Sequence, residues 1–354
     1  MVNNPIQPLA IGGLTLENNL IQAPLAGYSS LPFRLLSWRW GRPGLLATEM
    51  ISAGALLQGS PSQERYLARS PEEGPVLYQI WGADPDAVGI AARIVTERGA
   101  DAVDLNCGCP VRKVRAAGAG SKLMEKPALV ARLAAAMRKN TALPVSFKIR
   151  AGSGPGNFNA VEIARIAEAE GADWITVHGR HAGEAYGTPC RYGEIARVVR
   201  AVSIPVVGNG DVRDGATARR MFAEAGVRGV MVGRGCLGAP WVFARIKAEC
   251  AGEVFPPPSL AEIGGVLLDH HDLLARLLDA ERAIRHCRKL GSFYSRAFAG
   301  AREFRNRLNF CHTRDGLKAL IGEYFKTAEP RFSGQGGGRE GPARAAPDFP
   351  GGNA

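Results

Sequence analysis

A thiol, an ammonium and an imidazole stand in this sequence at the ends of apolar runs, where a barrel of parallel strands would gather them. Cys109 lies in Leu105-Asn106-Cys107-Gly108-Cys109-Pro110, directly after the run Ala102-Val103-Asp104-Leu105. Such a run reads as a buried strand, ended here by Gly108 and Pro110. Lys148 and Arg150 close another run at i and i+2, so they share one strand face. Gln79, Asn106, His178 and Arg180 close others, and Pro24-Leu25-Ala26 follows the first. After the last two runs come Asn209-Gly210-Asp211 and Gly233-Arg234-Gly235. Glycines at those two positions let backbone N–H groups approach an anion, and Arg234 adds a fixed charge; this is the common phosphate site of such barrels. With a phosphate held there, Gln79, Lys148 and His178 point at the body of the same ligand. A lysine so placed can stabilise negative charge developing on a ring such as a reduced flavin. Each residue also has a plainer reading: buried cysteines, turn glycines, an ion-paired lysine, a hydrogen-bonded core imidazole. Together, on consecutive strand ends, they favour a ligand.

The elements that must position them follow from the alternation of the chain. Strand-like runs are expected at 20–23, 45–48, 76–81, 102–105, 145–149, 174–178, 206–208 and 229–232, after a short hairpin around Gly12-Gly13. Helical spacing fills the gaps, as in 86–99, 127–140, 160–171 and 215–225. About eight β-then-α units over about 225 residues is the size of a barrel. A doubly wound open sheet usually has fewer strands. The fold expected is therefore α/β, a (β/α)8 TIM barrel followed by a small all-helical domain. The domains are read as a barrel at 1–244, a helical domain at 245–332 and a disordered tail at 333–354. After the linker Phe255-Pro256-Pro257-Pro258, helical spacing covers 260–280, 281–298 and 302–325.

With 44 Lys+Arg against 33 Asp+Glu the chain carries +11. From Arg282 to Lys318 ten basic residues face only Glu303 and Asp315, a local +8. That segment includes Arg288, Lys289, Arg305 and Arg307, and its obvious partner is a polyanion. No apolar run is long enough to span a membrane, and no signal peptide is visible. Seven scattered cysteines fit reduced thiols in the cytoplasm rather than a disulfide framework. No second pair or nearby His completes a tetrahedral site beside Cys107 and Cys109, so no metal is expected.

The chain resembles the tRNA-dihydrouridine synthases over roughly residues 10–325. The resemblance rests on Ala23-Pro24-Leu25-Ala26-Gly27 with Pro32-Phe33-Arg34, Thr48-Glu49-Met50-Ile51-Ser52-Ala53, Leu105–Pro110, and Gly118-Ala119-Gly120-Ser121. It continues in Lys148-Ile149-Arg150, Val177-His178-Gly179-Arg180, Gly208-Asn209-Gly210-Asp211, and Gly233-Arg234-Gly235 with Pro240-Trp241. It implies an FMN enzyme that reduces the C5=C6 bond of selected uridines in tRNA, with NADPH as the usual reductant. Cys109 falls on the family's proton donor. Pro24, Leu25, Ala26, Gln79, Lys148, His178, Asn209, Gly210, Asp211, Gly233 and Arg234 fall on flavin positions. Asn106, Arg150 and Arg180 fall beside the uridine, and the basic segment falls on the domain that holds tRNA. A monomer is expected. The proton donor must be neutral at rest, which suits a thiol near its ordinary pKa of ~8.5.

The sequence departs from the family pattern at two places. Ser29-Ser30 stands where Thr-Asp is usual. His181-Ala182 and Glu184 stand where Thr-Arg and Gln are usual. Three other readings stand beside it: an FMN barrel reducing a free pyrimidine or small enone, a tRNA-binding protein without catalysis, and a phosphate-sugar barrel with no redox role, in which the thiol has no task.

Overall fold

The computed structural model describes residues 4–330, so the tail expected at 333–354 lies outside the described residues. An antiparallel hairpin, β1 (Leu9–Ile11) and β2 (Leu14–Leu16), turns at Gly12-Gly13. The strands β3 (Leu20–Gln22), β4 (Leu46–Ala47), β5 (Ile51–Ser52), β6 (Val76–Trp81), β7 (Ala102–Asn106), β8 (Val145–Gly152), β9 (Trp174–His181), β10 (Val206–Asn209) and β11 (Gly229–Val232) follow. Every pair among them is parallel. The order is β3-β11-β10-β9-β8-β7-β6-β4, with β5 beside β6, and a parallel bridge from Ile21 to Leu45 closes the ring. The expected barrel is therefore present.

Strand alternation sorts the side chains into two cores. Ile21, Ala23, Leu45, Ala47, Leu77, Ala102, Trp174, Val207 and Met231 form one apolar cluster inside the ring. Hairpin residues Leu9, Ile11 and Leu16 join it, and Gly12 lies against Asp173, just before β9, so the hairpin closes the floor. The alternate residues, such as Tyr78, Leu105, Phe147 and Val177, pack outward against the helices. Further along the inner rows, towards the strands' C-terminal ends, stand Gln79, Asp104, Lys148, His178 and Asn209. The barrel is thus apolar below and polar at its C-terminal mouth.

Helices α1 (Leu31–Gly41), α2 (Ala53–Leu57), α3 (Glu64–Leu67), α4 (Pro85–Glu97), α5 (Arg112–Ala116), α6 (Pro127–Asn140), α7 (Ala160–Ala169), α8 (Tyr192–Val199), α9 (Gly215–Ala225) and α10 (Val242–Ala251) belong to the barrel. Because α10 runs unbroken across 244/245 and packs on α9 and α1, the boundary expected there falls inside a helix. The change of architecture comes after Gly252, where a left-handed glycine ends α10 and the Pro256–Pro258 linker follows. Beyond it, α11 (Leu260–Leu277), α12 (Ala280–Tyr294), α13 (Ala301–Asn309) and α14 (Arg314–Thr327) form a bundle. The single helical stretch read at 302–325 is two helices, since Thr313 caps a new one by accepting from the Gly316 N–H.

Ser29 and Ser30 carry the first departure from the family pattern. Ser29 Oγ accepts from the Leu25 N–H at 2.8 Å and so closes the turn after β3. Ser30 is the N-cap of α1, but its side chain makes no capping bond and the first turn has no acidic residue. An aspartate there would supply both a cap and a charge favourable to the helix dipole. Ser30→Asp is expected to stabilise the protein by about 0.5–1 kcal/mol, read as a rise in the thermal unfolding midpoint.

Candidate active site at the barrel mouth

Cys109 is placed by a chain of buried hydrogen bonds that draws on the strands to either side of β7. Ser146 Oγ donates to Asp104 Oδ1 at 2.5 Å, and Gln79 Nε2 donates to Asp104 Oδ2 at 2.6 Å. Asn106 Nδ2 then donates to Gln79 Oε1 at 2.8 Å, and to Met50 Sδ at 3.0 Å. Asn106 Oδ1 in turn accepts from the Gly108 and Cys109 N–H groups at 3.1 and 2.8 Å. Both ends of the Asn106 amide are thus used in shaping the thiol loop. Arg150 pins the same loop from β8, with Nε on Gly108 O at 2.7 Å and Nη1 on His181 O at 2.9 Å. Burial pushes the Cys109 thiol above its ordinary pKa, against the pull of the Val111 N–H and of Arg150 and Lys148. It is therefore a neutral thiol at physiological pH. Cys107, one residue out of phase, is fully buried in the helix-facing core.

Lys148 and Asn209 meet across the mouth. Asn209 Nδ2 donates to Met231 O at 2.9 Å, which fixes the amide so that Oδ1 accepts from Lys148 Nζ at 2.9 Å. An ammonium has three donors, and no other protein acceptor takes one among the described residues. Withdrawal from water, helped by Arg150, holds the Lys148 pKa down to about 8; ionised Asp104 opposes this. Asp104 itself is pushed up to about 7 by burial, against the hydrogen bonds from Ser146 and Gln79. His178 is held well below its usual range by burial and by four neighbouring cations, so it is neutral. Arg180 Nη1 lies 3.0 Å from His178 Nε2. Arginine only donates, so Nε2 is the acceptor and the ring proton sits on Nδ1.

Arg180 and Asp211 are committed to each other. Arg180 Nη2 donates to both Asp211 oxygens at 2.6 and 2.7 Å and to Tyr186 O at 3.1 Å, and Nε donates to Thr188 O at 2.5 Å. Asp211 also accepts the Cys190 N–H at 2.8 Å from a left-handed backbone, φ +57°. These two residues therefore hold the 186–191 loop against the β10 turn. Gly210, at φ +131°, must be glycine, because a Cβ would lie 2.6 Å from Cys190 Sγ. At Gly233 a Cβ would meet nothing nearer than Ala23 Cβ and Leu25 Cδ2 at 3.9 Å, so open space adjoins this backbone. Arg234 stands over the Tyr186 ring at 4.4 Å, and Ala26, in the turn Pro24-Leu25-Ala26, is exposed. The second departure from the family pattern forms a local ion cluster, in which Glu184 pairs with Arg191 and accepts the His181 N–H at 2.8 Å.

The basic segment is less cationic than its own residues suggest. Arg282 pairs with Asp279, Arg285 with Glu281, Arg307 with Glu323 and Arg314 with Asp272. All four carboxylates lie outside the 282–318 window. Arg288 donates to Cys311 O at 2.6 Å. Lys289 turns to the barrel mouth, with Nζ 3.4 Å from Gly27 O and 3.7 Å from the centre of the Tyr28 ring. Of the four residues read as tRNA contacts, half-buried Arg305 has no carboxylate partner among the described residues, and the exposed Arg302 and Lys318 likewise have none.

Two residues of the site escaped the sequence reading. Asp104 lies in a run read as apolar, although its i−2 spacing to Asn106 marks the inner face, and Cys190, beside Gly210, carries no such signal. Glu49 stands in the Thr48–Ala53 block quoted above, with no role assigned to it there, and is buried after β4.

The described residues contain no metal-binding cluster of His, Cys, Asp or Glu, and no helix among them is long and apolar enough to cross a membrane. The family model for dihydrouridine synthases matches residues 21–329. The chain is 37% identical over 327 residues to tRNA-dihydrouridine synthase B of Pseudomonas aeruginosa, covering 92% of this chain and 98% of that one. It is 36% identical over 356 residues to a probable tRNA-dihydrouridine synthase of Mycobacterium tuberculosis, covering 97% and 92%. Among solved structures, a 2-naphthoyl-CoA reductase complex superposes with a TM-score of 0.55 at 15% identity, covering 72% of this chain and 53% of that one. Histamine dehydrogenase from a Rhizobium species gives 0.51 at 11% identity, covering 77% and 51%. The chain spans about half the length of these two, and the likeness is one of fold. The match along nearly the whole chain, to the family model and to relatives of the same length, shows that it belongs to the dihydrouridine synthase family.

Proposed function

We propose that the protein binds FMN at the barrel mouth and uses NADPH to reduce the C5=C6 bond of specific uridines in tRNA, with Cys109 as the proton donor. The observation that carries this reading is the meeting of a neutral thiol, a lysine with pKa near 8 and a neutral imidazole in one polar tier. FMN fits the residues present. Lys148 has donors to spare, His178 offers Nδ1–H, and the open space beside Gly233 next to Arg234 suits a phosphate. The Pro24-Leu25-Ala26 turn would lie along the same ligand, with Gln79 on the far side. What bound FMN supplies is a hydride for C6 of the uracil ring.

The chain's own residues do the rest. Cys109 Sγ gives its proton to C5, and the thiolate left behind is re-protonated from water. Arg150 holds the Cys109 loop in place, and its Nη2 remains to orient the base. Asn106 fixes the loop from the other side, and the Arg180–Asp211 pair keeps the rim closed around the site. Because a base within folded RNA is not within reach of the barrel interior, the target uridine must leave its stack. The enzyme is proposed to act as a cytoplasmic monomer.

Anaerobic re-oxidation of the reduced enzyme tests the reading. Unmodified tRNA is expected to re-oxidise it, and free uracil is not. Re-oxidation by uracil at a similar rate would favour the small-substrate reductase. For the RNA surface, the variant Arg302→Glu, Arg305→Glu, Lys318→Glu is expected to weaken tRNA binding and flatten its salt dependence by about 2–3 units of log K per log salt. NADPH-driven reduction of the enzyme should not change. An unaltered salt slope would move the RNA contact elsewhere.

A further inference from the structure

One peptide at the mouth is gripped from both sides, by residues from the two halves of the molecule. The Gly27 N–H donates to Glu49 Oε2, and Lys289 Nζ donates to Gly27 O at 3.4 Å. Gly27 is in the left-handed region at φ +77°, and a Cβ there would lie 2.9 Å from Lys289 Nζ. The next residue, Tyr28, lies under the same ammonium at 3.7 Å. Its ring also meets Phe293 of α12 edge-on, centroids 5.4 Å apart. Glu49 is 9% exposed; burial raises its pKa, while the Gly27 N–H, Arg65, Lys289 and Arg34 pull it back. Burial also lowers the Lys289 pKa, with Glu49 opposing. Two opposite charges therefore face each other across a single turn, and the turn is the one that begins at Pro24.

We propose that Glu49 and Lys289 are positioning residues, a clamp through which α12 sets the Pro24–Tyr28 turn against the bound cofactor. The inference rests on the reading above that this turn faces a flavin. Its consequence is a mechanical link. Lys289 stands on the same exposed face of α12 as Arg282 and Arg285, at i+7 and i+4 from them, so the face that carries these arginines also reaches the cofactor turn. RNA that docks on α12 is thereby felt at the turn. Lys289 then acts through the turn, with one donor on the Gly27 carbonyl and its charge over the Tyr28 ring.

The experiment compares wild type with Lys289→Met, Lys289→Arg and Glu49→Gln as full-length proteins. In Lys289→Met, amide exchange at Gly27 and Tyr28 is expected to speed up about tenfold, as for loss of a charge-assisted hydrogen bond. The affinity for tRNA and its salt slope should stay within twofold of wild type. Re-oxidation of the reduced enzyme at saturating tRNA should slow about tenfold, from a misplaced turn. The shift in the visible flavin spectrum on adding tRNA should disappear. Lys289→Arg should restore both readouts. Glu49→Gln should reproduce the rate loss with tRNA affinity unchanged. Weaker tRNA binding with a flatter salt slope and an unchanged rate in Lys289→Met would make Lys289 a phosphate contact and overturn the clamp. Unchanged amide exchange at Gly27 would overturn it as well. A wild-type protein that binds no flavin would sink the proposed function separately, because amide exchange still reports on the clamp without a cofactor.

Discussion

Cys109→Ala is expected to retain its flavin and accept electrons from NADPH at the wild-type rate, yet to reduce uridine in tRNA at least about 10²-fold more slowly. The geometry explains why the loss is confined to the second half-reaction. The loop that carries Cys109 is held through backbone groups, by Asn106 Oδ1 on two N–H groups and by Arg150 on Gly108 O. None of these bonds uses the Cys109 side chain, so the alanine variant keeps the loop and lacks only the proton. Cys107→Ala is the informative control. That thiol lies in the helix-facing core, and its loss should cost about 1 kcal/mol of stability with little change in rate. Stopped-flow measurement of reduction and re-oxidation separates the two steps. Equal rate losses in both variants would mean that the proton comes from elsewhere.

Lys148→Met is expected to slow uridine reduction about 10–10²-fold and to abolish one limb of the pH profile. The sign follows from the depressed pKa. Lys148 is charged below about 8 and neutral above it, so the wild-type rate should fall as pH rises through about 8, whereas the methionine variant should show no such fall. Asp104 supplies a second check. When ionised it favours the ammonium, and Asp104→Asn should therefore move the wild-type limb to lower pH. A limb that survives in Lys148→Met would assign it to another group.

Strand periodicity made much of this legible. Once the runs ending at Trp81, Leu105, Ile149 and His178 are recognised, alternation alone places Gln79, Lys148, Arg150 and His178 on the inner face. β6 and β11 lie where the apolar runs put them. β8 and β9 extend further, to Gly152 and His181, because they stay paired through the register shift between Arg150 and Gly152. Apolar spacing says nothing about that pairing. The fates of charged side chains were the least legible. Arg180 shares a face with His178 and reads as reaching for substrate, but Asp211, on a different loop, takes its charge. Lys289 and Arg305 look alike in a list of basic residues, yet Lys289 reaches the Gly27 carbonyl and the Tyr28 ring while Arg305 meets no carboxylate among the described residues. Counting charge within a window also failed to see Asp272, Asp279, Glu281 and Glu323, which helix geometry brings beside arginines from outside it.

The ring that carries the site is closed by its two most distant members. β3 pairs with β11 through Leu20 and Val230, and Asn19 Nδ2 reaches Arg228 O, 209 residues later, at 3.0 Å. During synthesis, one edge of β3 must therefore wait for the last strand to emerge. At about 5–20 residues per second that wait is roughly 10–40 s. Throughout it the growing chain carries an unpaired strand edge above an apolar floor already assembled by the hairpin. The nascent polypeptide is then at its most exposed to wrong partners just before Val232 leaves the ribosome, and a pause placed before that point would lengthen the hazard.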